Sequence, residues 1–279
     1  METAVFWAVL AAAAMHAGWN AVVKVDLDRF SAILLLALVQ SGLAVVLLPF
    51  FPLPAMPSLP WLVASALLHT GYKLVLIRAY AHGDLSQVYP IARGSAPLIV
   101  LAVAALWLGE TPSIAGLLAV AAIAVGVIMM SMRGGEGGAL SATALGYAAL
   151  TAAATAAYTL VDTIGARLAE TASGFTLWMF VGDGLCMLLA AMGMRGVSAL
   201  RGLSRSWRSG LIAGALSLGA YWIAIWGFTR APVGLVAALR ETSVLFAMLI
   251  ALVVLRERVG PWRWLAAVLM TAGIAFMRI

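Results

Sequence analysis

The sequence is poor in charge, in cysteine and in histidine. Only 10% of its 279 residues are charged, whereas a soluble domain has about 25%, so the chain cannot cover a water-facing surface. The single Cys186 excludes an intramolecular disulfide, and with three histidines on separate segments it cannot build a structural zinc site. No Lys or Arg precedes Lys24, so the positive start of a cleaved signal peptide is missing and we expect a retained first span from Thr3.

Catalytic motifs are missing as well. The sequence contains no His-Glu-x-x-His metal pair, no Gly-x-Ser-x-Gly nucleophile turn and no Asp-rich cluster, which hydrolases and pyrophosphate-binding enzymes would require. The net charge of +6 comes from scattered basic residues rather than from a basic domain. We therefore expect no enzyme activity, no catalytic residue, no cofactor, no metal and no nucleic-acid partner. An intramembrane enzyme and a scaffold without transport are the alternatives from other functional classes.

What the chain does contain is apolar sequence in long runs. Hydrophobic residues make up 64% of it, and the mean hydropathy is +1.06. Continuous runs of about 20 apolar residues predict membrane-spanning helices, because a barrel would show alternating stretches of about 10 residues. The fold class predicted is an all-α integral membrane protein with ten transmembrane helices. They are expected over residues 3–24, 30–49, 59–81, 85–108, 112–132, 142–165, 171–194, 207–228, 233–255 and 261–278.

The two halves of the chain resemble each other. A shift of 147 residues aligns Arg93 with Arg240, Glu110 with Glu257 and Gly126 with Gly273. An odd number of spans in each half inserts the second half upside down relative to the first, which makes the two halves an inverted repeat. Such repeats place a substrate site between the halves near the bilayer midplane.

A glycine-rich segment separates the halves. The stretch from Arg133 to Gly138 reads Arg-Gly-Gly-Glu-Gly-Gly, a composition typical of a linker. The predicted organisation is therefore a first five-helix repeat at 1–132, a linker at 133–141 and a second five-helix repeat at 142–279. Because both halves lie in one chain, we expect a monomer.

Several motifs carry a resemblance to a known family. They are His16-Ala-Gly-Trp-Asn20, the stretch from Tyr89 to Pro97, and the turns Gly109-Glu110 and Arg256-Glu257. In their order and spacing they resemble the EamA type of the drug/metabolite transporter superfamily, and within it the YddG-type aromatic amino-acid exporters. The resemblance implies a multi-pass carrier of the bacterial inner membrane that exports metabolites by alternating access.

Polar side chains inside the predicted spans are the candidate ligands. Ionisable groups at membrane depth cost about 2.5–3.5 kcal/mol each and face a partner or a wet cavity. Helical spacing collects them into stripes on several helices. The predicted substrate-binding residues are His16, Trp19, Asn20, Tyr72, Lys73, Tyr80, Tyr89, Arg93, Tyr158, Asp162, Trp178, Asp183, Trp222, Arg240 and Glu241.

The charges among these candidates balance. Three cations, Lys73, Arg93 and Arg240, stand against three carboxylates, Asp162, Asp183 and Glu241. This balance favours a neutral or zwitterionic cargo, and aromatic faces beside opposite charges favour an amino acid with an aromatic or large apolar side chain. Multidrug export and transport of another metabolite, such as a nucleotide sugar, are the alternatives within the superfamily.

Other interpretations of the same residues stay open. Arg93 and Arg240 can be structural and pair with Asp162 or Asp183, and Tyr80 and Tyr89 can belong to an interfacial aromatic belt. Proton coupling through Asp162, Asp183 or His16 stands beside facilitated diffusion. The positive-inside rule puts both termini outside, because most Lys and Arg residues at helix ends lie in the odd-numbered connections. The family resemblance puts both termini in the cytoplasm.

Overall fold

The described part of the chain folds entirely into helices. The computed structural model describes residues 1–23, 28–82, 85–131, 142–254, 256 and 259–278, and no β-strand occurs among them. The side chains of residues 23, 80–91 and 131 are likewise outside this description. The α-helices, in chain order, are α1 Thr3–Val23, α2 Arg29–Leu47, α3 Leu59–His82, α4 Leu85–Trp107, α5 Ile114–Ser131, α6 Ala142–Leu168, α7 Ala172–Arg195, α8 Trp207–Arg230, α9 Val233–Glu241, α10 Ser243–Val253 and α11 Pro261–Phe276.

These helices fit a membrane by length and composition. Within the described ranges, seven segments are long and apolar enough to cross a bilayer, and three further apolar helices, Ala92–Trp107, Ile114–Met130 and Pro261–Phe276, are shorter. Large apolar side chains such as Phe50 and Trp107 are 75% and 85% exposed, which suits contact with lipid. The all-helical membrane fold is thereby confirmed, while the count of ten spans stays a prediction.

The predicted ninth helix is interrupted. Sequence patterning predicts one helix over 233–255, whereas α9 ends at Glu241 and α10 begins at Ser243. The Thr242 hydroxyl donates to the Leu239 carbonyl at 2.6 Å, and the Thr242 amide donates to the same carbonyl at 3.2 Å. A threonine hydroxyl that bonds a carbonyl in the preceding turn competes with the regular helical hydrogen bond, and the helix breaks next to Arg240 and Glu241.

The packing repeats under the shift of 147 residues. A Cβ on Gly126 would lie 2.3 Å from Met270 Cγ, and a Cβ on Gly273 would lie 2.8 Å from Ile123 Cγ1. These four residues form two pairs under the shift, so α5 and α11 cross symmetrically. The contacts of α1 with α8 and of α3 with α6 form a second matched pair. Each helix of one half therefore packs mainly against helices of the other half.

Small residues also allow α8 to approach α2. A Cβ on Gly210 would meet Leu35 at 2.7 Å, and one on Gly214 would meet Val39 at 2.3 Å. This small-xxx-small face is the packing device that membrane helices use when they cross closely. It lies inside the molecule and holds α2 directly against α8.

Candidate functional site

A cavity of about 540 Å³ lies between the two halves. Helices α1 to α4 line it from the first half, and α6 to α9 line it from the second. This volume lies within the range of about 300–1,000 Å³ that is typical of small-molecule sites. Nine of the predicted residues line the cavity: His16, Trp19, Asn20, Tyr72, Lys73, Arg93, Tyr158, Arg240 and Glu241.

The other predicted residues lie elsewhere. Asp162 and Asp183 are 0% and 1% exposed and stand behind the cavity wall rather than on it. Trp178 and Trp222 do not line the cavity; the Trp222 indole instead donates to Ser173 Oγ at 3.0 Å and packs edge-on against Phe51. The side chains of Tyr80 and Tyr89 lie outside the described residues.

Arg93 is held by a carboxylate from the other half. Its Nε and Nη2 donate to the two carboxylate oxygens of Glu241, at 2.5 and 3.0 Å. Its Nη1 lies 2.8 Å from His16 Nε2, and because a guanidinium only donates, His16 accepts there as a neutral imidazole. A two-pronged pair of this kind fixes geometry as well as charge. Arg93 is therefore in an ion pair, although its partner is Glu241 rather than Asp162 or Asp183; its role in substrate binding stays a prediction.

Lys73 is also paired across the halves. Its ammonium donates to Asp183, and Thr70 Oγ1 donates to the same carboxylate at 3.2 Å. Lys73 is 9% exposed and lines the cavity, so its charge is compensated from behind the wall.

Asp162 accepts from three donors and stands behind two cavity residues. Ser65 Oγ donates to one oxygen, while His69 Nε2 at 2.9 Å and the Tyr221 hydroxyl at 2.5 Å contact the other. The His69 ring stacks on Tyr158, with ring centroids 4.2 Å apart. This network joins α3, α6 and α8.

Arg240 differs from the other interior cations. Its Cζ lies 4.8 Å from the centroid of the Tyr221 ring and 5.9 Å from that of Phe228, which is cation–π geometry. In the described part of the chain no carboxylate lies within ion-pair distance of it. It lines the cavity, so its guanidinium can meet an anion that enters.

Several lining residues were not among the predicted ligands. Tyr221 is the most informative, because it contacts both Asp162 and Arg240. Gln40 and Ser217 also line the cavity and share a hydrogen bond of 3.0 Å across the halves. Their common signal in the sequence is a polar side chain on the face of an otherwise apolar helix.

One end of the helix bundle is tightly packed. At the end of the bundle where Arg278 donates to Thr3, α1, α8 and α9 pack through Val9, Phe228 and Val236, each 0% exposed. We name this end the terminal face, defined by Thr3, Glu110, Arg167 and Phe228.

Hydrogen bonds of Glu110 and Arg167 connect helices at the same face. Glu110 accepts from the Val233 amide at 2.7 Å and from Arg167 Nη2 at 2.6 Å, while Arg167 Nε donates to the Phe228 carbonyl at 3.0 Å. Glu110 thus caps the start of α9 through the Val233 amide. Its counterpart Glu257 lies outside the described residues. In the part of the chain that the structure describes, no three His, Cys, Asp or Glu side chains come together as a metal site.

A sequence model of the EamA-like transporter family matches residues 3–132 and 142–279. The chain is an EamA-like transporter. It belongs to this family and to the drug/metabolite transporter superfamily, which supports a transport role rather than an enzymatic one. The two matched ranges correspond to a two-repeat architecture in the EamA-like chain.

Comparison with individual proteins adds the fold alone. A solved crystal structure of a protein aligns with 99% of the EamA-like chain and 95% of its own, with a TM-score of 0.77 and 15% sequence identity. No curated protein sequence matches. The family and its fold are thus shown, and the substrate has to be argued from the cavity.

Proposed function

We propose that the protein exports small metabolites across the bacterial inner membrane by alternating access, and that amino acids with aromatic or large apolar side chains are the first candidates. The observation that carries the proposal is the cavity between the halves, which combines the cation Arg240 with aromatic walls. One chain encloses the whole cavity, so a monomer suffices. The proposal includes ten spans in two inverted repeats, within the boundaries predicted from the sequence.

The ligand's carboxylate would bind Arg240. Arg93 already holds both oxygens of Glu241, and Lys73 is paired with Asp183. Arg240 therefore offers the guanidinium that a ligand can engage without breaking an internal pair. Because guanidinium groups match carboxylates in geometry and charge, this residue is the best candidate for orienting the cargo.

The ligand's apolar part would lie on aromatic rings. Trp19, Tyr72, Tyr158, Phe180 and Tyr221 all line the cavity. Aromatic walls bind rings and long apolar side chains through burial and stacking. An ammonium group could rest on a tyrosine face, since the one carboxylate on the wall, among the described residues, is already bound by Arg93.

A nucleotide sugar is the second candidate. Among the described residues, four cations line the cavity, Arg29, Lys73, Arg93 and Arg240, against the single carboxylate Glu241. A phosphate-bearing cargo favours such an excess. Asp183 compensates Lys73 from behind the wall and Glu241 compensates Arg93, which is why an amino acid ranks first.

The test is counterflow of labelled phenylalanine and tryptophan in proteoliposomes, beside a nucleotide sugar and a cationic drug. We expect Arg240→Gln to raise the half-saturating concentration by about 10- to 100-fold, the loss of one hydrogen-bonded charge contact. The half-saturating concentration of Arg240→Lys should lie between those of Arg240→Gln and the wild type, because lysine keeps the charge but lacks the paired N–H donors of the guanidinium. Arg201→Gln, at an exposed position, is the matched control.

Two results would contradict the proposal. An unchanged half-saturating concentration in folded Arg240→Gln would remove this residue from the site. Counterflow of the nucleotide sugar alone would transfer the proposal to the second candidate.

A further inference from the structure

The two halves supply matched arginines to the cavity but not matched carboxylates. Under the shift of 147 residues, Arg93 aligns with Arg240, whereas Glu241 aligns with Gly94. Both arginines and Glu241 line the cavity. In the part of the chain that the structure describes, the cavity wall therefore has one carboxylate for two arginines that the repeat makes equivalent.

The packing of α4 leaves no room for a second carboxylate at the equivalent position. A Cβ on Gly94 would lie 2.7 Å from Ile128 Cγ1 and 3.0 Å from the Ala124 carbonyl oxygen, so α4 lies too close to α5 for a side chain there. In the second half, α9 ends at Glu241, immediately before the break at Thr242. The missing carboxylate is therefore fixed by a close helix contact.

Glu241 already binds Arg93 in the way that an anionic group of a cargo would. Its two oxygens accept from Nε and Nη2 of Arg93, and the two side chains are only 7% and 12% exposed. A cargo anion at Arg93 would displace Glu241 and leave a nearly buried carboxylate without its cation, which is strongly unfavourable. Arg240 has no such competitor, since no carboxylate among the described residues lies within ion-pair distance of it.

We propose that Glu241 determines the charge of the cargo, because it acts as a built-in anion on Arg93 and leaves one arginine for one anionic group of the cargo. The inference rests on the proposed function and narrows its substrate class. Monocarboxylates, including amino acids with uncharged side chains, are accepted, whereas dicarboxylates and phosphate esters are disfavoured. Glu241 acts through Arg93 and needs no contact with the cargo.

The experiment uses the purified full chain in proteoliposomes and follows counterflow of labelled phenylalanine. Three unlabelled competitors share its benzyl group: phenylpropionate has one carboxylate, while benzylmalonate and benzylsuccinate have two at different spacings. The buffer is held at about pH 8, where all these carboxylates are ionised. For each variant, the half-inhibitory concentration of phenylpropionate is divided by that of each dicarboxylate. We name this quotient the dianion ratio; a loss that affects all competitors alike leaves it unchanged.

Glu241→Gln is the decisive variant. It keeps the shape of the side chain and makes the Arg93 guanidinium available to a second carboxylate. We expect the dianion ratio to rise by about 10- to 100-fold for at least one dicarboxylate, the effect of one added charge-assisted contact. Glu110→Gln is the matched control, since Glu110 is also paired with an arginine, Arg167, and neither residue lines the cavity. Its dianion ratio should equal that of the wild type.

The double variant Arg93→Gln with Glu241→Gln removes both charges of the pair. Because Arg240 remains, we expect phenylpropionate to inhibit it about as well as it inhibits the wild type, and the dianion ratio to return to the wild-type value. A raised dianion ratio in the double variant would show that the second carboxylate does not bind Arg93, and would overturn the inference.

Arg93→Gln keeps the inference testable if Glu241→Gln does not fold. It leaves the Glu241 carboxylate without its cation and next to Arg240 in the chain, where it opposes a second carboxylate. We expect the half-inhibitory concentration of phenylpropionate to be about tenfold higher in Arg93→Gln than in the double variant, because like charges brought together are costly. Equal concentrations in the two variants would overturn the inference.

The outcomes separate the inference from the proposed function. Wild-type counterflow of phenylalanine with an unchanged dianion ratio in folded Glu241→Gln would overturn the inference and leave the proposed function standing. Wild-type protein that is inhibited as strongly by the dicarboxylates as by phenylpropionate would have the same meaning. Absence of phenylalanine counterflow, with folded wild-type protein, would remove the proposed function and this inference with it.

Discussion

Two helix crossings that are equivalent under the repeat differ in their side chains: one contains buried ion pairs, and the other has apolar residues at the same positions. Helix α3 crosses α6 and α7, and its counterpart α8 crosses α1 and α2. The first crossing joins His69 to Asp162 and Lys73 to Asp183. Under the shift of 147 residues, the positions of these four residues are occupied in the second crossing by Leu216, Met15, Ala220 and Leu36.

The comparison shows which side chains the packing of the helices requires and which it does not. The apolar crossing shows that this backbone arrangement packs without any charge. Buried ion pairs are weak contributors to stability compared with apolar replacements, so packing alone does not explain the charged crossing. Two of these residues, His69 and Lys73, line the cavity, and their carboxylate partners lie directly behind it.

The largest expected loss of stability comes from removing one partner of an ion pair in the charged crossing. Lys73→Ala leaves Asp183 buried without its cation, and removing one partner of such a pair costs about 3–5 kcal/mol. The double variant Lys73→Ala with Asp183→Leu takes both residues from the apolar crossing and should recover most of that loss. Thermal unfolding in detergent measures both. The comparison would be contradicted if the double variant lost as much stability as the single variants Lys73→Ala and Asp183→Leu lose together.

A smaller effect tests whether α5 and α11 pack equally closely at the two glycines that the repeat makes equivalent. Gly126→Ala and Gly273→Ala each place a methyl group within 3 Å of a side chain of the opposite helix, and overpacking of this kind costs about 1–3 kcal/mol. We expect similar losses of unfolding free energy for the two. Gly146→Ala, which has nothing within 4 Å of the new atom, is the control and should be neutral or stabilising. A large loss at one glycine and none at the other would break the symmetry.

The smallest effect concerns an exposed pair that also joins α7 to the first half. Asp28 accepts from Arg195 at 3.1 Å and caps α2. Partial burial raises the pKa of Asp28, but hydrogen bonds from Ser31 and Arg195 outweigh it and lower the pKa overall. The stabilisation is therefore present above the unfolded pKa of about 3.9 and is lost as pH falls through the lower folded value.

The variant Asp28→Asn tests the direction of this pH dependence of stability. We expect a loss of less than about 1 kcal/mol at neutral pH, since the pair is largely exposed, and no difference from wild type once the pH is below both pKa values. Unfolding measured at pH 7 and at a series of lower pH values gives the comparison. A loss that grows at low pH would contradict it.

The helical fold could be predicted because hydrophobic run length alone identifies spans. Bounds such as 59–81 for α3 agree within a residue or so with Leu59–His82. The break at Thr242 was not predicted, because a threonine hydroxyl can either face away or bond the preceding turn, and only the packed structure decides between them.

The site could be predicted only in part. Polar stripes on α1 and α3 identified His16 and Lys73, which line the cavity. On α8 the prediction took Trp222, whereas its neighbour Tyr221 lines the cavity. Adjacent residues on a helix differ by about 100°, so the choice depends on how α8 is rotated. The pairing of Arg93 with Glu241 also needed the arrangement of the halves, which composition does not contain.

The shortness of the last helix has a consequence for the surrounding lipid. Helix α11 packs on α5 and contains 16 residues, which gives roughly 24 Å at 1.5 Å per residue. The hydrocarbon core of a bilayer is about 30 Å thick, whereas α6, with 27 residues, reaches roughly 40 Å. A bilayer that thins beside α11 while the longer helices tilt accommodates both lengths, so we expect the activity of the protein to depend on the acyl-chain length of the lipid in which it is reconstituted.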